Sequence, residues 1–288
     1  MSTACTDNLP AADSLARRMN RVLDFIESGL GGNLSLATLA EIAAYSPCHF
    51  QRVFQGWTGE SPNAYVRRRR LENGASRLRY DRSATVGDIA LGVGFATAES
   101  FAHAFRKHFG MSASAWRALR EDDALLNSEP RDRLPTLLVR EFAPIDIAYV
   151  RVTGAYDAVI EPAWRRFMVW VEAAGLGGQP LIGIGVDDPG ISPSNRCRYD
   201  LCVVLPPGWR EGSARVARRR LLGGLYACSP FDGPRSALGA HWGRLLVHWL
   251  PASGLRLGDG HFLEVISPDA RPDDPARLAC ELRMPVQR

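Results

Sequence analysis

Apolar side chains recur at helical spacing through the first 120 residues, and capping residues interrupt them at intervals. Within 19–26 the apolar positions fall at i, i+3, i+4 and i+7, which predicts an amphipathic helix. Ser46 and Ser61 each precede a proline, as an N-cap precedes N1, and Thr85 begins a sequence that resembles a capping box. The helices expected after the first are about 36–44, 47–57, 62–79, 98–109 and 113–119, with another beginning after residue 85.

This helical half contains an internal repeat. Five pairs of matching residues lie 51 positions apart: Phe50 and Phe101, Phe54 and Phe105, Gly59 and Gly110, Ser61 and Ser112, and Tyr65 and Trp116. The pairs Ile42-Ala43 and Ile89-Ala90 lie 47 positions apart, four fewer than the other pairs. The second copy would therefore contain four additional residues between its paired helices, in the stretch 91–97. A duplicated helix-turn-helix explains this pattern.

Two helices of the repeat are expected to present polar faces to solvent. Helical spacing directs these residues to the core: Phe50, Val53, Phe54 and Trp57 in the first, and Phe101, Ala104 and Phe105 in the second. The residues left outside are Cys48, His49, Gln51, Arg52 and Gln55 in the first, and Ala98, Glu99, Ser100, Ala102, His103, Arg106 and Lys107 in the second. Glutamine and arginine make bidentate contacts with adenine and guanine edges, so both faces are candidate DNA readers.

After about residue 135 the pattern changes to short alternating or β-branched stretches, which are separated by long helical ones. We expect strands at 146–152, 181–187, 199–205 and 261–267, and helices at about 157–175 and 235–250. Matching residues lie 79 apart: Ala148/Ala227, Gly154/Gly233, Gly175/Gly254, Leu176/Leu255, Pro189/Pro268 and Pro206/Pro285, whereas Trp164/Trp242 are 78 apart. The pattern predicts an α+β domain of two similar halves about a pseudo-twofold axis, with a ligand cleft where the halves meet.

Charge indicates the class of partner. The net charge of +4 is uneven, because residues 1–120 hold 15 basic and 10 acidic residues whereas the remainder holds 20 and 21. A local positive excess suits a nucleic-acid partner. Residues 121–135 are polar, contain two prolines and have no apolar periodicity, which predicts a linker between domains at 1–120 and 136–288.

Several other classes are disfavoured. The chain has no apolar run of membrane-spanning length, and its first fifteen residues lack the apolar core of a secretory signal, so we expect a cytoplasmic, nucleoid-associated protein without a membrane partner. The six cysteines form no CxxC pair, so we expect reduced thiols, no metal and no cofactor. A GxSxG elbow is absent, and GIGVDD lacks the third glycine of a dinucleotide loop. His261 and Glu264, three apart on a strand, point to opposite faces and do not suit one metal.

The strand 261–267 carries an acid on an apolar face. Glu264 shares that face with Phe262 and Ile266, so its carboxylate has to be paired, hydrogen-bonded or protonated there. The offset of 79 makes Gly185 the equivalent position, and a residue without a side chain opposite the acid would leave space near the axis. Aromatic residues that could line this space are Trp164, Trp170, Tyr199, Tyr226, Trp242 and Trp249. An acid among aromatic rings, with Phe262 beside it, suits a cationic amphipathic guest.

The helical motifs resemble a known family. LAEIAAYSPCHFQRVFQGWTGESPNAYVRRRRLENGASRL and VGDIALGVGFATAESFAHAFRKHFGMSASAWR resemble the two halves of the AraC-type DNA-binding domain, over about residues 15–120. The resemblance implies that helices 47–57 and 98–109 enter successive major-groove segments on one face of double-stranded DNA, so that one chain binds an asymmetric site. It implies base contacts from Cys48, Gln51, Arg52, Ala98, Glu99, Ser100, Ala102 and His103. Phosphate contacts would come from helix N-termini and from nearby arginines and Lys107. Three departures are His103 for the usual arginine, which predicts a weaker or pH-dependent base contact, Ala44 for glycine and Ala113 for proline.

The second half resembles the GyrI-like effector-binding domain over about residues 135–287. The stretches that carry the resemblance are VRVTGAYDAV, GIGVDDPGISPSNRCRYDLCV, GGLYA, HWLPASG and HFLEVISPD. It implies a two-lobed sheet with a central glutamate in a drug-binding cleft, and Glu264 matches that position. Val265-Ile266 stand where an aromatic residue often follows the glutamate, and Leu255 replaces a common tyrosine. The shape of a guest therefore does not carry over from relatives.

Together these observations predict a multidomain chain, with an all-α tandem helix-turn-helix domain followed by an α+β, two-lobed pseudo-twofold domain. We expect a transcription regulator, activator or repressor, whose partners are double-stranded DNA, RNA polymerase and a small amphipathic or cationic effector. The alternative is a DNA-binding protein whose C-terminal domain hydrolyses a small xenobiotic or binds another protein. Ligand turnover would identify the enzyme, and a pull-down without DNA would identify the protein partner.

Overall fold

The computed structural model describes residues 10–81, 83–119, 137–209, 216–274 and 276–288. The helices of its first part are α1 (Pro10–Ser28), α2 (Leu36–Ile42), α3 (Pro47–Thr58), α4 (Pro62–Tyr80), α5 (Val86–Gly92), α6 (Ala98–Phe109) and α7 (Ala113–Ala118). All the helices expected before residue 120 are present, with ends that differ by a few residues. The predicted linker 121–135 lies outside the described residues.

Local polar groups and glycines determine where these helices begin and end. The capping box at the start of α5 is complete, because the Thr85 hydroxyl accepts from the Asp88 N–H at 3.1 Å and the Asp88 carboxylate accepts from the Thr85 N–H at 3.1 Å. Helices α3 and α6 stop at Gly59 and Gly110, both with φ 76°. That left-handed backbone favours glycine at a C-cap. The two helices therefore end at equivalent points.

Each helix-turn-helix has its own apolar core. In the first, Phe50 and Phe54 are fully buried, and the Phe54 and Tyr65 rings meet edge to face with centroids 5.3 Å apart. In the second, Phe105 and Trp116 make the equivalent contact at 5.9 Å. Phe105 lies 51 residues after Phe54, and Trp116 lies 51 residues after Tyr65, so the predicted duplication of α3 and α6 is confirmed.

The helices that precede α3 and α6 have a different register from the one predicted. The first and last residues of α5 each lie 50 positions after those of α2. Ala44 and Gly94, also 50 apart, are the turn residues with positive φ, 54° and 87°. The pairing of Ile42-Ala43 with Ile89-Ala90 at an offset of 47 was therefore wrong, and one residue rather than four is added before α6. The positive φ that the turn requires, and not the repeated Ile-Ala pair, determines the equivalence.

The second part of the chain forms an antiparallel sheet. Its strands are β1 (Leu138–Phe142), β2 (Ile145–Thr153), β3 (Leu181–Gly185), β4 (Arg198–Val204), β5 (Ala217–Leu221), β6 (Gly224–Gly233), β7 (Arg256–Leu257), β8 (Leu263–Ile266) and β9 (Leu278–Gln287). Their order is β1-β6-β9-β8-β3-β4-β2-β5, and the short β7 pairs with β9. Helix α8 (Tyr156–Ala173) connects β2 to β3. The strands expected from sequence correspond to β2, β3, β4 and β8.

The offset of 79 relates the two halves of the sheet strand by strand. It carries β1, β2, β3 and β4 approximately onto β5, β6, β8 and β9. This exchange reverses the strand order, which is the property of a pseudo-twofold axis between β3 and β8. Ile184 pairs with Leu263, its own equivalent, so the axis passes through that pair. The first strand of each half crosses over, and β1 pairs with β6 of the other half.

The one-residue slip between Trp164 and Trp242 has a structural counterpart. The second long helical segment consists of α9 (Leu238–Arg244), a π-helical turn (Leu245–Trp249) and α10 (Leu250–Ala252). A π turn holds one more residue than an α turn. The offset of 78 at Trp242 therefore returns to 79 at Gly254, after the π turn.

The contacts of the described residues divide into two compact units. One comprises residues up to Arg70 with 216–217, and the other comprises the described parts of Leu71–Trp209 and Arg218–Arg288. Helix α4 contributes residues to both units, whereas α5, α6 and α7 belong with the sheet. Among the described helices, none has the length and apolar character needed to cross a membrane. The cysteines of the described ranges are free thiols: Cys48, Cys197, Cys202, Cys228 and Cys280.

Candidate functional site

Helix α3 presents the outward face that its sequence predicts. Ser46 caps the first turn by accepting a hydrogen bond from the His49 N–H at 3.4 Å, and Pro47 stands at N1. With Phe50 and Phe54 buried, the residues exposed to solvent include Cys48, His49, Gln51, Arg52 and Gln55. Amide and guanidinium groups on one exposed helix face can donate and accept hydrogen bonds at base edges.

Trp57 was expected to face the core, but its side chain is 45% exposed. The inward position in the last turn of α3 is instead Thr58, which is half-buried and donates to the Phe54 carbonyl at 2.8 Å. The prediction for Trp57 was wrong because residue 58, four positions after the buried Phe54, continues the inward stripe.

Helix α6 combines its candidate reader face with its own cap. Ala98 is half-buried, and the exposed residues of the predicted face are Glu99, Ser100, Ala102, His103, Arg106 and Lys107. The Ser100 N–H donates to the Thr97 hydroxyl at 3.1 Å, and the Ser100 hydroxyl donates to the Thr97 carbonyl at 2.8 Å. Hydrogen bonds from its own backbone N–H and from Thr97 lower the pKa of Glu99, which stabilises its carboxylate form. A carboxylate there can accept from a cytosine amino group.

The four consecutive arginines 67–70 on α4 are mostly used inside the protein. Arg69 is 6% exposed and donates two hydrogen bonds of 2.9 Å to the Glu27 carboxylate. Arg68 pairs with a glutamate at 2.8 Å, and Arg70 donates to a backbone carbonyl at 2.8 Å. The first arginine of the run is exposed. The run is therefore mainly structural, and its first member is the one available to a phosphate.

Glu264, the predicted centre of the effector site, is buried at 5% exposure on β8. The Tyr199 hydroxyl donates to its carboxylate at 2.6 Å. Gly183, not Gly185, lies opposite Glu264 in the ladder, and an ideal Cβ at Gly183 would stand 1.9 Å from the Tyr199 hydroxyl oxygen. The expectation of space opposite the acid is thereby corrected, because Gly185, the equivalent of Glu264, lies two positions along the ladder from Gly183, and Tyr199 fills the position over Gly183.

Arg235 is a third member of this cluster, and the sequence reasoning missed it. Its Nη1 lies 3.5 Å from Oε2 of Glu264, and its Nη2 donates to the Pro272 carbonyl at 3.0 Å. Burial raises the pKa of Glu264, whereas Arg235 and the Tyr199 hydroxyl lower it, and the net direction is upward. The signal that could have identified Arg235 is its position 79 residues after Tyr156 in the sequence, because both residues begin helical segments after equivalent strands.

The other predicted aromatic residues fall into separate contacts. Trp242 and Phe262 meet edge to face with centroids 5.3 Å apart. The remaining four contact other aromatic or apolar side chains: Trp164, Trp170, Tyr226 and Trp249. Tyr199 is thus the predicted aromatic residue with a described hydrogen bond to Glu264.

A series of contacts leads from Glu264 to the end of α4, all within one compact unit. The Tyr199 ring meets the Tyr156 ring edge to face at 5.7 Å. The Tyr156 hydroxyl donates to the Asp187 carbonyl at 2.8 Å. The next residue, Asp188, accepts a hydrogen bond from the Tyr80 hydroxyl at 3.2 Å. Tyr80 is the last residue of α4, so the surroundings of the acid are physically continuous with the helix that precedes the second helix-turn-helix.

A serine and a histidine of this domain also meet, but their hydrogen bonds do not suit nucleophilic catalysis. His241 Nε2 lies 2.9 Å from the Ser229 hydroxyl, and Arg244 Nη2 lies 3.3 Å from His241 Nδ1. Because arginine only donates, Nδ1 accepts and the neutral ring carries its proton on Nε2. Burial and the Arg244 charge lower the pKa of His241, which favours that neutral ring. The imidazole then donates to Ser229 and cannot remove its proton.

Two capped helix-turn-helix units with exposed polar faces, followed by a duplicated sheet with a buried acid at its centre, define a class of protein. The class is a DNA-binding transcription regulator with a small-molecule binding domain. Residues 138–287 match the GyrI-like small molecule binding domain, and residues 39–119 match a helix-turn-helix domain. The chain belongs to the GyrI-like family, with an AraC-type helix-turn-helix region in front of that domain.

Similarity to curated proteins extends over most of the chain. Transcriptional regulator Rob of Salmonella typhimurium (strain LT2) is 28% identical over 284 residues, which is 93% of this chain and 97% of that protein. The right origin-binding protein of Escherichia coli (strain K12) has the same identity and coverage. Among solved structures, the DNA-binding domain of AdpA in complex with a target DNA has 26% identity and a TM-score of 0.35, and the match covers 37% of this chain and 96% of that one. The predicted order, a helix-turn-helix domain followed by a GyrI-like domain, is confirmed.

Proposed function

We propose that this chain is a sequence-specific transcription regulator that recognises an asymmetric double-stranded DNA site with α3 and α6. A small amphipathic or cationic effector, bound beside Glu264, changes that activity. Domains at 1–120 and 136–288, separated by 121–135, divide the two tasks, and RNA polymerase is the protein partner at the promoter. The proposed place of action is the cytoplasmic nucleoid.

The observation that carries the DNA-binding part is the pair of equivalent helices that expose polar faces. Buried phenylalanines and glycine caps orient α3 and α6 within their units in the same way. Base contacts are assigned to the exposed side chains that match the family pattern, with Gln51 and Arg52 as the strongest donors. A tandem reader needs no second chain, which supports an asymmetric site.

Selection of bound sequences from a randomised DNA pool, followed by affinity measurements, tests this part. Arg52→Ala should lower discrimination at one base position by about 1–3 kcal/mol while it leaves the other positions unchanged. Arg165→Ala is the matched control, because Arg165 is a 63% exposed arginine of α8. An equal loss of affinity on every sequence would instead make Arg52 a phosphate contact and contradict its assignment to a base.

The observation that carries the effector part is the buried carboxylate of Glu264, which accepts a hydrogen bond from Tyr199. A lipophilic cation such as tetraphenylphosphonium would gain an ion pair with this carboxylate and contacts with aromatic rings. Calorimetric titration of the full chain should give an affinity at least about tenfold weaker for Glu264→Gln, since losing one charge-assisted contact costs about 1.5–3 kcal/mol. The surface replacement Glu161→Gln on α8 should have no effect. Undiminished binding to Glu264→Gln would contradict the assignment of the effector to this site.

A further inference from the structure

The guanidinium of Arg235 already stands beside the carboxylate that a cationic guest would use. Its Nη1 lies 3.5 Å from Oε2 of Glu264, and the same oxygen accepts the hydrogen bond from Tyr199. The Arg235 and Glu264 side chains are 13% and 7% exposed. Charges buried to this extent are screened little by salt, so each strongly affects the other.

The pair is held loosely in comparison with another buried ion pair of the same domain. Arg198 donates to both carboxylate oxygens of Asp187, with distances of 2.8 and 2.7 Å. Arg235 instead makes one longer contact with Glu264, and its buried Nε has no hydrogen-bond partner within the described residues. Its other hydrogen bond goes to the Pro272 carbonyl and not to the carboxylate. A guanidinium with one long contact to its carboxylate loses less when it moves away from that carboxylate than one held by two short bonds.

The duplicated architecture indicates that the fold does not require an arginine at this place. Tyr156 begins the equivalent helical segment of the first half, and its neutral hydroxyl donates to the Asp187 carbonyl. The equivalent of Glu264 in that half is Gly185, which has no side chain. The acid and the arginine therefore occur together in one half and are both absent from the equivalent positions of the other. This joint occurrence points to Arg235 as the counter-ion of Glu264.

We propose that Arg235 is an internal competitor that sets the charge preference of the effector site, so that a cationic guest pairs with Glu264 only by displacing the guanidinium. This inference rests on the proposed function, because it assumes a guest at Glu264. With Arg235 in place, a cationic guest would put two positive charges against one carboxylate, whereas an anionic guest would not compete with Arg235. An opposite charge within about 4–6 Å changes the proton equilibrium of a carboxylate by about 10- to 1000-fold, and a guest cation should respond in the same range.

Two ions of the same shape and opposite charge provide the test: tetraphenylphosphonium and tetraphenylborate. Each is titrated into the full chain by calorimetry. Arg235→Met should raise the affinity for the cation at least about tenfold, the lower end of that range, without raising the affinity for the anion. Arg277→Met is the matched control, since Arg277 is 71% exposed, pairs with Asp232 and changes the net charge equally. Both affinities should be unchanged in that control.

Two further replacements separate charge from folding. Arg235→Lys keeps the positive charge and should keep the wild-type preference, and Arg235→Gln should repeat the effect of Arg235→Met if the methionine variant does not fold. The cation affinity could be unchanged in the neutral variants while Glu264→Gln still weakens cation binding. That result would overturn the role of Arg235 and leave the proposed function standing. Cation binding that is indifferent to Glu264→Gln in both the wild-type and the Arg235→Met backgrounds would contradict the proposed effector site itself.

Discussion

Replacing Gly183 by alanine should damage the centre of the sheet domain, because this glycine makes room for the contact between Tyr199 and Glu264. An ideal Cβ at Gly183 would lie 1.9 Å from the Tyr199 hydroxyl oxygen, 2.8 Å from Tyr199 Cζ and 2.9 Å from Glu264 Oε2. All three distances are shorter than a carbon atom tolerates. The Tyr199 ring would have to move, and its 2.6 Å hydrogen bond to the carboxylate would be lost.

The expected cost of Gly183→Ala has two parts. Forcing an extra methyl group into a packed core costs about 1–3 kcal/mol. Losing a buried hydrogen bond to a charged group adds about 1.5–3 kcal/mol. The free energy of unfolding should therefore fall by about 2.5–6 kcal/mol, a large part of the 5–15 kcal/mol available to a typical domain.

Gly185, two residues along the same face of β3, is the matched control. The nearest atom to an ideal Cβ there is the Tyr156 hydroxyl oxygen at 3.7 Å, which is an ordinary contact. Alanine at Gly185 should be neutral, or stabilising by about 0.4–1 kcal/mol through the unfolded chain. Urea unfolding followed by circular dichroism measures both variants, and Tyr199→Phe in the Gly183→Ala background should recover part of the loss. Equal stability of the two alanine variants would refute the packing argument.

Three further predictions concern stability and control. Arg69→Ala should lower the free energy of unfolding by about 3–5 kcal/mol, because it removes a buried arginine and leaves the partly buried Glu27 carboxylate without its bidentate partner. Arg67→Ala should change it by less than about 0.5 kcal/mol, and comparable urea midpoints would contradict this difference. Burial raises the pKa of Glu264 above 4.5, so the folded chain binds this proton more tightly than the unfolded chain does. The wild type should therefore lose stability relative to Glu264→Gln as pH rises from about 4.5 through the folded pKa. Parallel stability–pH curves for the two proteins would argue against this prediction. Tyr80→Phe removes the hydrogen bond to Asp188 and should reduce the change in DNA affinity that tetraphenylphosphonium causes. DNA affinity without tetraphenylphosphonium should be unchanged. If the cation changes DNA affinity as much in the variant as in the wild type, this contact is excluded as a route of coupling.

The strands illustrate where sequence patterns stop being informative. Strands β3 and β4 are buried and β-branched or alternating, and they were predicted. Strand β1 was not predicted, because it lies at the edge of the sheet and four of its five residues are exposed, so it has no buried face to produce a pattern. Strand β5, at the opposite edge, was not predicted either, because three of its five residues are arginines and leave no apolar alternation.

The sequence by itself determined the local features of this protein and its repeats. Helices begin after the caps Ser46 and Thr85 and end at glycines, and these signals depend on residues within one or two turns. The same holds for the outward faces of α3 and α6. Short-range chemistry therefore specifies all of these features. The offset of 79 also predicted the axis of the sheet, since a duplication is visible in the chain before it folds. Glu264 was identifiable because a charge on an apolar strand face is costly wherever that strand packs.

Only the tertiary structure decided what surrounds that acid. Tyr199 and Arg235 are 65 and 29 residues from Glu264 along the chain, and their contacts depend on strand register and on where a helical segment begins. A shift of one position in the register would place Gly183 and Glu264 on opposite faces. The counter-ion of the buried carboxylate, and with it the charge that a guest would meet, is therefore a property of the folded sheet and not of any local motif.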